Sequence, residues 1–154
     1  MATLYANEAK GLAPAGTKRR DGVNQGARLR VCRASIKLDL TNTSETATQA
    51  TAVADGDRIL LARIPAGYAF VKAVVTTSVS LGSSTIAIGS LSTAAKYKAA
   101  AVLTATNTPT TYALVSALDD GPLAADEDIY LTNTTAALPA SDNWLIVDLY
   151  FMGR

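Results

Sequence analysis

Residues 144–152 read WLIVDLYFM, and the alternation in that stretch decides the fold. Successive side chains of a strand point to opposite faces, so Leu145, Val147, Leu149 and Phe151 share one face while Trp144, Ile146, Asp148 and Tyr150 share the other. The first set is wholly apolar and is expected to line a core. The second mixes a carboxylate with aromatics, and Trp144 and Tyr150 are the side chains expected to meet a neighbouring subunit. A run this apolar belongs at the centre of a sheet.

The same period of two recurs upstream. Residues 128–133 and 111–118 read as strands, separated by the turn Asp119-Asp120-Gly121-Pro122 and bounded by breaks at Leu138-Pro139 and Asn107-Thr108-Pro109. Residues 68–79 form a long strand, with Phe70, Lys72, Val74 and Thr76 expected on one face and Val71, Ala73, Val75 and Thr77 on the other. Before it, residues 58–64 make a strand closed by the tight turn Pro65-Ala66-Gly67; after it, Gly82-Ser83 leads into a short strand at 85–88. In residues 35–40, SIKLDL, Ile36, Leu38 and Leu40 alternate with Lys37 and Asp39. A Thr-rich loop over 41–57 ends at Asp55-Gly56-Asp57. Residues 90–103 stay open between a helical turn near 94–98 and a strand over 99–103. About eight strands with turn chemistry between them, and no βαβ alternation or fixed-period repeat, predict an all-β antiparallel sandwich of jelly-roll type.

The first 34 residues have a different character. They hold Lys10, Lys18, Arg19, Arg20, Arg28, Arg30 and Arg33 against Glu8 and Asp21, a net +5; residues 35–154 hold seven bases against eleven acids, a net −4. Gly11, Pro14, Gly16, Gly22 and Gly26 interrupt any regular element, and too few apolar side chains are present to offset an ordering cost of ~1–2 kcal/mol per residue. Residues 1–34 are therefore read as an extended basic arm and 35–154 as the sandwich domain. At ~3.3 Å per residue the arm can span on the order of 100 Å. Lys18, Arg19, Arg20, Arg28, Arg30 and Arg33 are its candidate partner-binding residues. They can dock on acidic protein, track nucleic-acid phosphates or form a solvated tail. The acidic body favours protein, and Tyr5 as the arm's one aromatic gives base stacking little support.

Catalytic signals are absent. The chain has no histidine, which removes the commonest general base and metal ligand together. Residues 11–19, GLAPAGTKR, are spaced like a phosphate loop, but Lys18 falls one place late and no strand precedes it. Asp119, Asp120, Asp126, Glu127 and Asp128 are the residues from which a calcium site could be drawn; their spacing fits no EF-hand, and two ordinary turns account for them. Cys32 is the single cysteine, so no intrachain disulfide forms, and it reads as a small buried hydrophobe. No apolar h-region opens the sequence and no stretch is long enough for a membrane helix, so the expected site of synthesis and assembly is a reducing cytoplasm. Neither catalytic residues, cofactor nor metal is expected.

Two segments carry a resemblance. Residues 57–89, DRILLARIPAGYAFVKAVVTTSVSLGSSTIAIG, and residues 126–152, DEDIYLTNTTAALPASDNWLIVDLYFM, cover about 60 residues, roughly 40% of the chain. They resemble structural proteins of tailed bacteriophages, among them the head decoration (cement) proteins. The resemblance implies a small β-sandwich, often trimeric, bound to the outer surface of a capsid lattice with the major capsid protein as partner. It brings no catalytic residues, and the basic arm lies outside it. The expected function is thus a virion structural protein that cements the phage head; a tail or head–tail connector component and a receptor- or carbohydrate-binding sandwich of a tail fibre are the alternatives.

Overall fold

The computed structural model describes residues 3–5, 28–38 and 53–153. Among the described residues there are nine strands: β1 (Thr3–Tyr5), β2 (Arg28–Lys37), β3 (Arg58–Ile64), β4 (Tyr68–Thr77), β5 (Thr85–Gly89), β6 (Lys98–Val102), β7 (Thr110–Tyr112), β8 (Glu127–Thr134) and β9 (Trp144–Gly153). One short helix, α1 (Val115–Asp119), lies between β7 and β8. The strands form a five-stranded sheet in the order β1-β2-β9-β4-β7 and a four-stranded sheet in the order β3-β8-β5-β6.

The ladder is nested. β2 pairs with β9, β3 with β8, β4 with β7 and β5 with β6, all antiparallel. A chain that pairs from its outside inward makes one long two-stranded ribbon; curled over, with β4 joining β9 and β5 joining β8, that ribbon is a jelly roll. The eight strands β2 to β9 complete it, and β1 is added at its edge. The expected fold class is thus the observed one.

The core follows the alternation of β9. Leu145, Val147, Leu149 and Phe151 are fully buried, and Ile36, Ile64, Val75, Ile86, Ile88, Ile129 and Leu131 close over them from both sheets. β9 lies at the middle of its sheet, as its apolar run requires. Gly67 takes φ +86° in the Pro65-Ala66-Gly67 turn, a conformation that a side chain strains. Gly89 serves closeness instead: a Cβ there would lie 2.1 Å from the Thr93 carbonyl oxygen, so its lack of a side chain lets residues 93 and 94 pack against β5.

Three expectations are corrected and one left open is decided. β1 covers Thr3–Tyr5 and β2 begins at Arg28, so residues 3–5 and 28–34, read as arm, are sheet. Charge counted along the chain misses a partner across it: Arg33 is answered by Asp148, 115 residues away. Residues 39 and 40 and the loop from 41 to 52 lie outside the described residues. In β4 the register shifts between Phe70 and Lys72, a bulge that turns Phe70 inward with Ala73, Val75 and Thr77 and leaves Lys72, Val74 and Thr76 half-buried on the outer face. The strand expected at 111–118 stops at Tyr112, and Leu114, Ala117 and Leu118, spaced i, i+3 and i+4, open into α1, where the amides of Ala117 and Leu118 both donate to the Leu114 carbonyl. At residues 94–97 the chain turns without forming a helix, and β6 starts at Lys98.

Candidate assembly surfaces

The outward parity of β9 sets up the first surface. Trp144, Ile146, Asp148, Tyr150 and Met152 point away from the core, and register brings a flanking row from each neighbouring strand. Val31 and Lys72 stand beside Tyr150, Arg33 and Val74 beside Asp148, Ser35 and Thr76 beside Ile146, and Leu29 and Ala69 beside Met152. Val31, Val74, Ile146 and Tyr150 are half-buried, while Trp144 and Met152 are 39% and 48% exposed.

Among the described residues, two of the three cations on this face are paired with carboxylates. The Arg33 guanidinium donates from Nε and Nη2 to the two Asp148 carboxylate oxygens at 2.7 and 2.8 Å, a bidentate pair. Lys72 Nζ sits 4.7 Å from the centre of the Tyr150 ring, and Lys37 Nζ lies 3.0 Å from Asp142. The face is thus largely apolar: Arg33 and Asp148 neutralise each other, while the Lys72 ammonium rests against the Tyr150 ring. A partner that covers this face has to answer or leave hydrated the Lys72 charge. Trp144 and Tyr150, the expected interface residues, share this face about six residues apart. Their companions Val31, Arg33, Lys72 and Val74 were beyond sequence reading, because register between distant strands decides them.

The six arm residues separate. Lys18, Arg19 and Arg20 lie outside the described residues, and Arg28 is described only as the first backbone position of β2. Arg33 belongs to the pair above. Arg30 is half-buried, with its guanidinium carbon 4.9 Å from the centre of the Tyr68 ring. β1 pairs antiparallel with β2 in the register Thr3 to Cys32, Leu4 to Val31 and Tyr5 to Arg30. Cys32 itself is buried, and burial pushes its thiol pKa up, which makes it a poor nucleophile.

The second surface is a cleft of about 420 Å³ between α1 and residues 120–127. Phe70, Tyr97, Ala117 and Leu123 line its apolar side; Lys96, Asp120, Asp126 and Glu127 line its polar side. Behind it, the rings of Phe70, Tyr97 and Phe151 meet with centres 4.6 to 5.9 Å apart. Glu127 is occupied on both oxygens: Tyr97 donates its hydroxyl to one, and Lys96 Nζ donates to the other at 2.7 Å. Burial and this carboxylate hold the Tyr97 phenol protonated far above its ordinary range. Asp126 accepts the Ala66 backbone N–H at 3.0 Å, and Asp128 is held below the usual carboxylate range by the Arg63 guanidinium that donates to it twice. Among the described residues no group of three Cys, Asp or Glu side chains stands together as metal ligands. Asp126, Glu127 and Asp128 thus each hold a different partner.

Comparison with known proteins places the fold. No protein-family model matches the chain, and no curated protein matches it in sequence. Among solved structures, a chain in the capsid of Ralstonia phage GP4 is similar with a TM-score of 0.60 at 15% identity, covering 95% of this chain and 94% of that one. A chain of the cyanophage Pam1 capsid asymmetric unit is similar with a TM-score of 0.60 at 16% identity, over 94% and 99% of the two chains. A chain of the acid-stable capsid of Helicobacter pylori bacteriophage KHP30 follows with a TM-score of 0.54 at 11% identity, over 80% and 86%. The fold of this chain is therefore the fold of chains found in three phage capsids.

Proposed function

We propose that this chain is a structural protein of a phage virion, acting by binding rather than by catalysis. The observation that carries the reading is the end-to-end match of its fold to chains of phage capsids, covering at least 94% of each chain in two of the three cases. Within the virion the proposed role is capsid decoration: copies of the chain, three to a cluster, cement the lattice of the major capsid protein. The largely apolar outer face of β2, β9 and β4, with Trp144 and Met152 exposed on it, supports this role.

Replacing Met152 by Glu together with Trp144 by Ser places an unanswered charge on that face while leaving the core intact. Occupancy on assembled shells is expected to fall at least tenfold, with the unfolding midpoint unchanged; full occupancy would remove this face from the account. The arm is tested separately. Replacement of residues 8–25 by a short Gly-Ser linker, which keeps β1 and β2, is expected to lower occupancy about tenfold at low salt and much less at high salt. Undiminished binding would assign the attachment to the sheet alone.

A further inference from the structure

We infer that β6 is a pairing edge for β6 of a second copy of this chain, joined antiparallel about a two-fold axis so that the four-stranded sheets of two copies run on into one. The inference deepens the assembly reading above by naming a contact between copies, and rests on it only for the shell as its setting.

The edge is bare. β6 ends the four-stranded sheet and, among the described residues, pairs with β5 alone. Alternate amides and carbonyls of such a strand point away from its sheet and form a template for another strand. Ala99, Ala100, Ala101 and Val102 are all exposed. The usual guards are missing. β6 holds no proline, and its one charge, Lys98, is buried, with the ammonium spent on the carbonyls of Ile86 and Ala99 and on the Tyr112 ring. The other edge of the same sheet is defended: β3 carries the exposed Arg58 and Arg63 and a bulge between Leu60 and Ala62.

The occupant follows from charge, length and placement. Residues 99–118 hold no Asp, Glu, Lys or Arg, twenty consecutive residues in a chain that is 18% charged. A charged partner strand finds no counter-charge here, whereas two copies of β6 meet with no like charges opposed. Five residues of the same length and small side chains face each other, and a two-fold contact needs only this one patch. The guarded β3 of a neighbour does not serve. Placement adds the second sheet. Lys98 Nζ lies 4.4 Å from the centre of the Tyr112 ring, which sets β6 over β7, the end strand of the five-stranded sheet. Both sheets therefore finish on this side, and a two-fold axis at β6 brings the two uncharged β7 strands to the same contact.

Full-length Ala100→Lys, Ala100→Asp and Ala100→Ser variants test this. Ala100 is exposed near the middle of β6, and unchanged unfolding midpoints will establish that the variants fold. By sedimentation, the parent and the Ser variant are expected at twice the mass of the Lys or Asp variant alone, whose self-association weakens at least tenfold because like charges meet across the axis. Mixing the Lys and Asp variants is expected to restore the doubled species. In the parent, amide hydrogen exchange over residues 99–102 is expected to slow at least tenfold as rising concentration doubles the species; should a variant lower the midpoint, this measurement decides alone. A parent with no doubled species, doubling that survives the Lys or Asp change, or no recovery on mixing would each overturn the inference. Exchange that slows only when assembled shells are added would give the edge to a different shell protein and overturn it as well. Shell occupancy of the Met152→Glu, Trp144→Ser variant reads the virion role separately, so either reading can fail alone.

Discussion

Truncating Phe151 to Ala is expected to lower the stability of the folded chain by about 3–5 kcal/mol. The ring is fully buried on β9, opposite Phe70 of β4, and meets both Phe70 and Tyr97 edge-on, with interplanar angles of 68° and 82°. Removing it forfeits the transfer energy of the ring, opens a void that three strands cannot collapse, and deletes two aromatic contacts worth roughly 0.5–1.5 kcal/mol each. Against a typical domain stability of about 5–15 kcal/mol, that is a severe loss. The neighbouring Met152→Ala supplies the control. Met152 points outward and is 48% exposed, so its truncation is expected to cost below about 0.5 kcal/mol. Denaturant unfolding of the two variants reads the parity of β9 directly. Equal losses would mean that the strand alternation, and with it the assignment of core and outer face, is wrong.

The second large effect lies in pH. Lys98 opens β6 with 1% of its surface exposed, and its ammonium donates to the carbonyls of Ile86 and Ala99 and sits 4.4 Å from the centre of the Tyr112 ring. Among the described residues it has no carboxylate partner, and burial draws its pKa down from 10.5 to about 8. The folded chain therefore releases this proton near pH 8, while the unfolded chain holds it to about pH 10.5. Between those values the unfolded state binds more protons, so stability rises with pH, by a total on the order of a few kcal/mol that is absent below pH 8. Tyr97 and Tyr112 are both pushed up by burial and act in the opposite sense once tyrosines ionise, so pH 8 to 9.5 is the window to use. Lys98→Met is expected to flatten the rise there and to match or exceed the parent's stability at pH 7. Parallel pH profiles for parent and variant, measured by urea unfolding, would show that the ammonium is not the cause.

Much of the sandwich was legible because its strands are amphipathic at a period of two. β3 was found to the residue, and the buried set on β9 follows from nine letters. What escaped had physical causes. The bulge at Val71 is a local backbone irregularity with no composition of its own, so Phe70 was assigned to the wrong face. Leu114, Ala117 and Leu118 fit a helix and a strand about equally in so short a window. The outer face was half visible: Trp144 and Tyr150 declared it, but Arg33 had been counted with the arm because nothing in linear order ties it to Asp148. The cleft was invisible as a cavity, since its walls come from β4, the turn before β6, α1 and the approach to β8.

The nested ladder has a kinetic consequence. β9 is the shared partner of β2 and β4 and is the last strand of the ladder to be synthesised, while its contacts with β2 bridge 115 residues. Loops that long close slowly, so folding should be governed by high contact order and wait on β9. Until then the β5–β6 hairpin can zip locally, but the outward row of the larger sheet does not yet exist. A copy truncated before β9 would therefore lack Trp144, Tyr150 and Met152 and leave β2 and β4 without their shared neighbour.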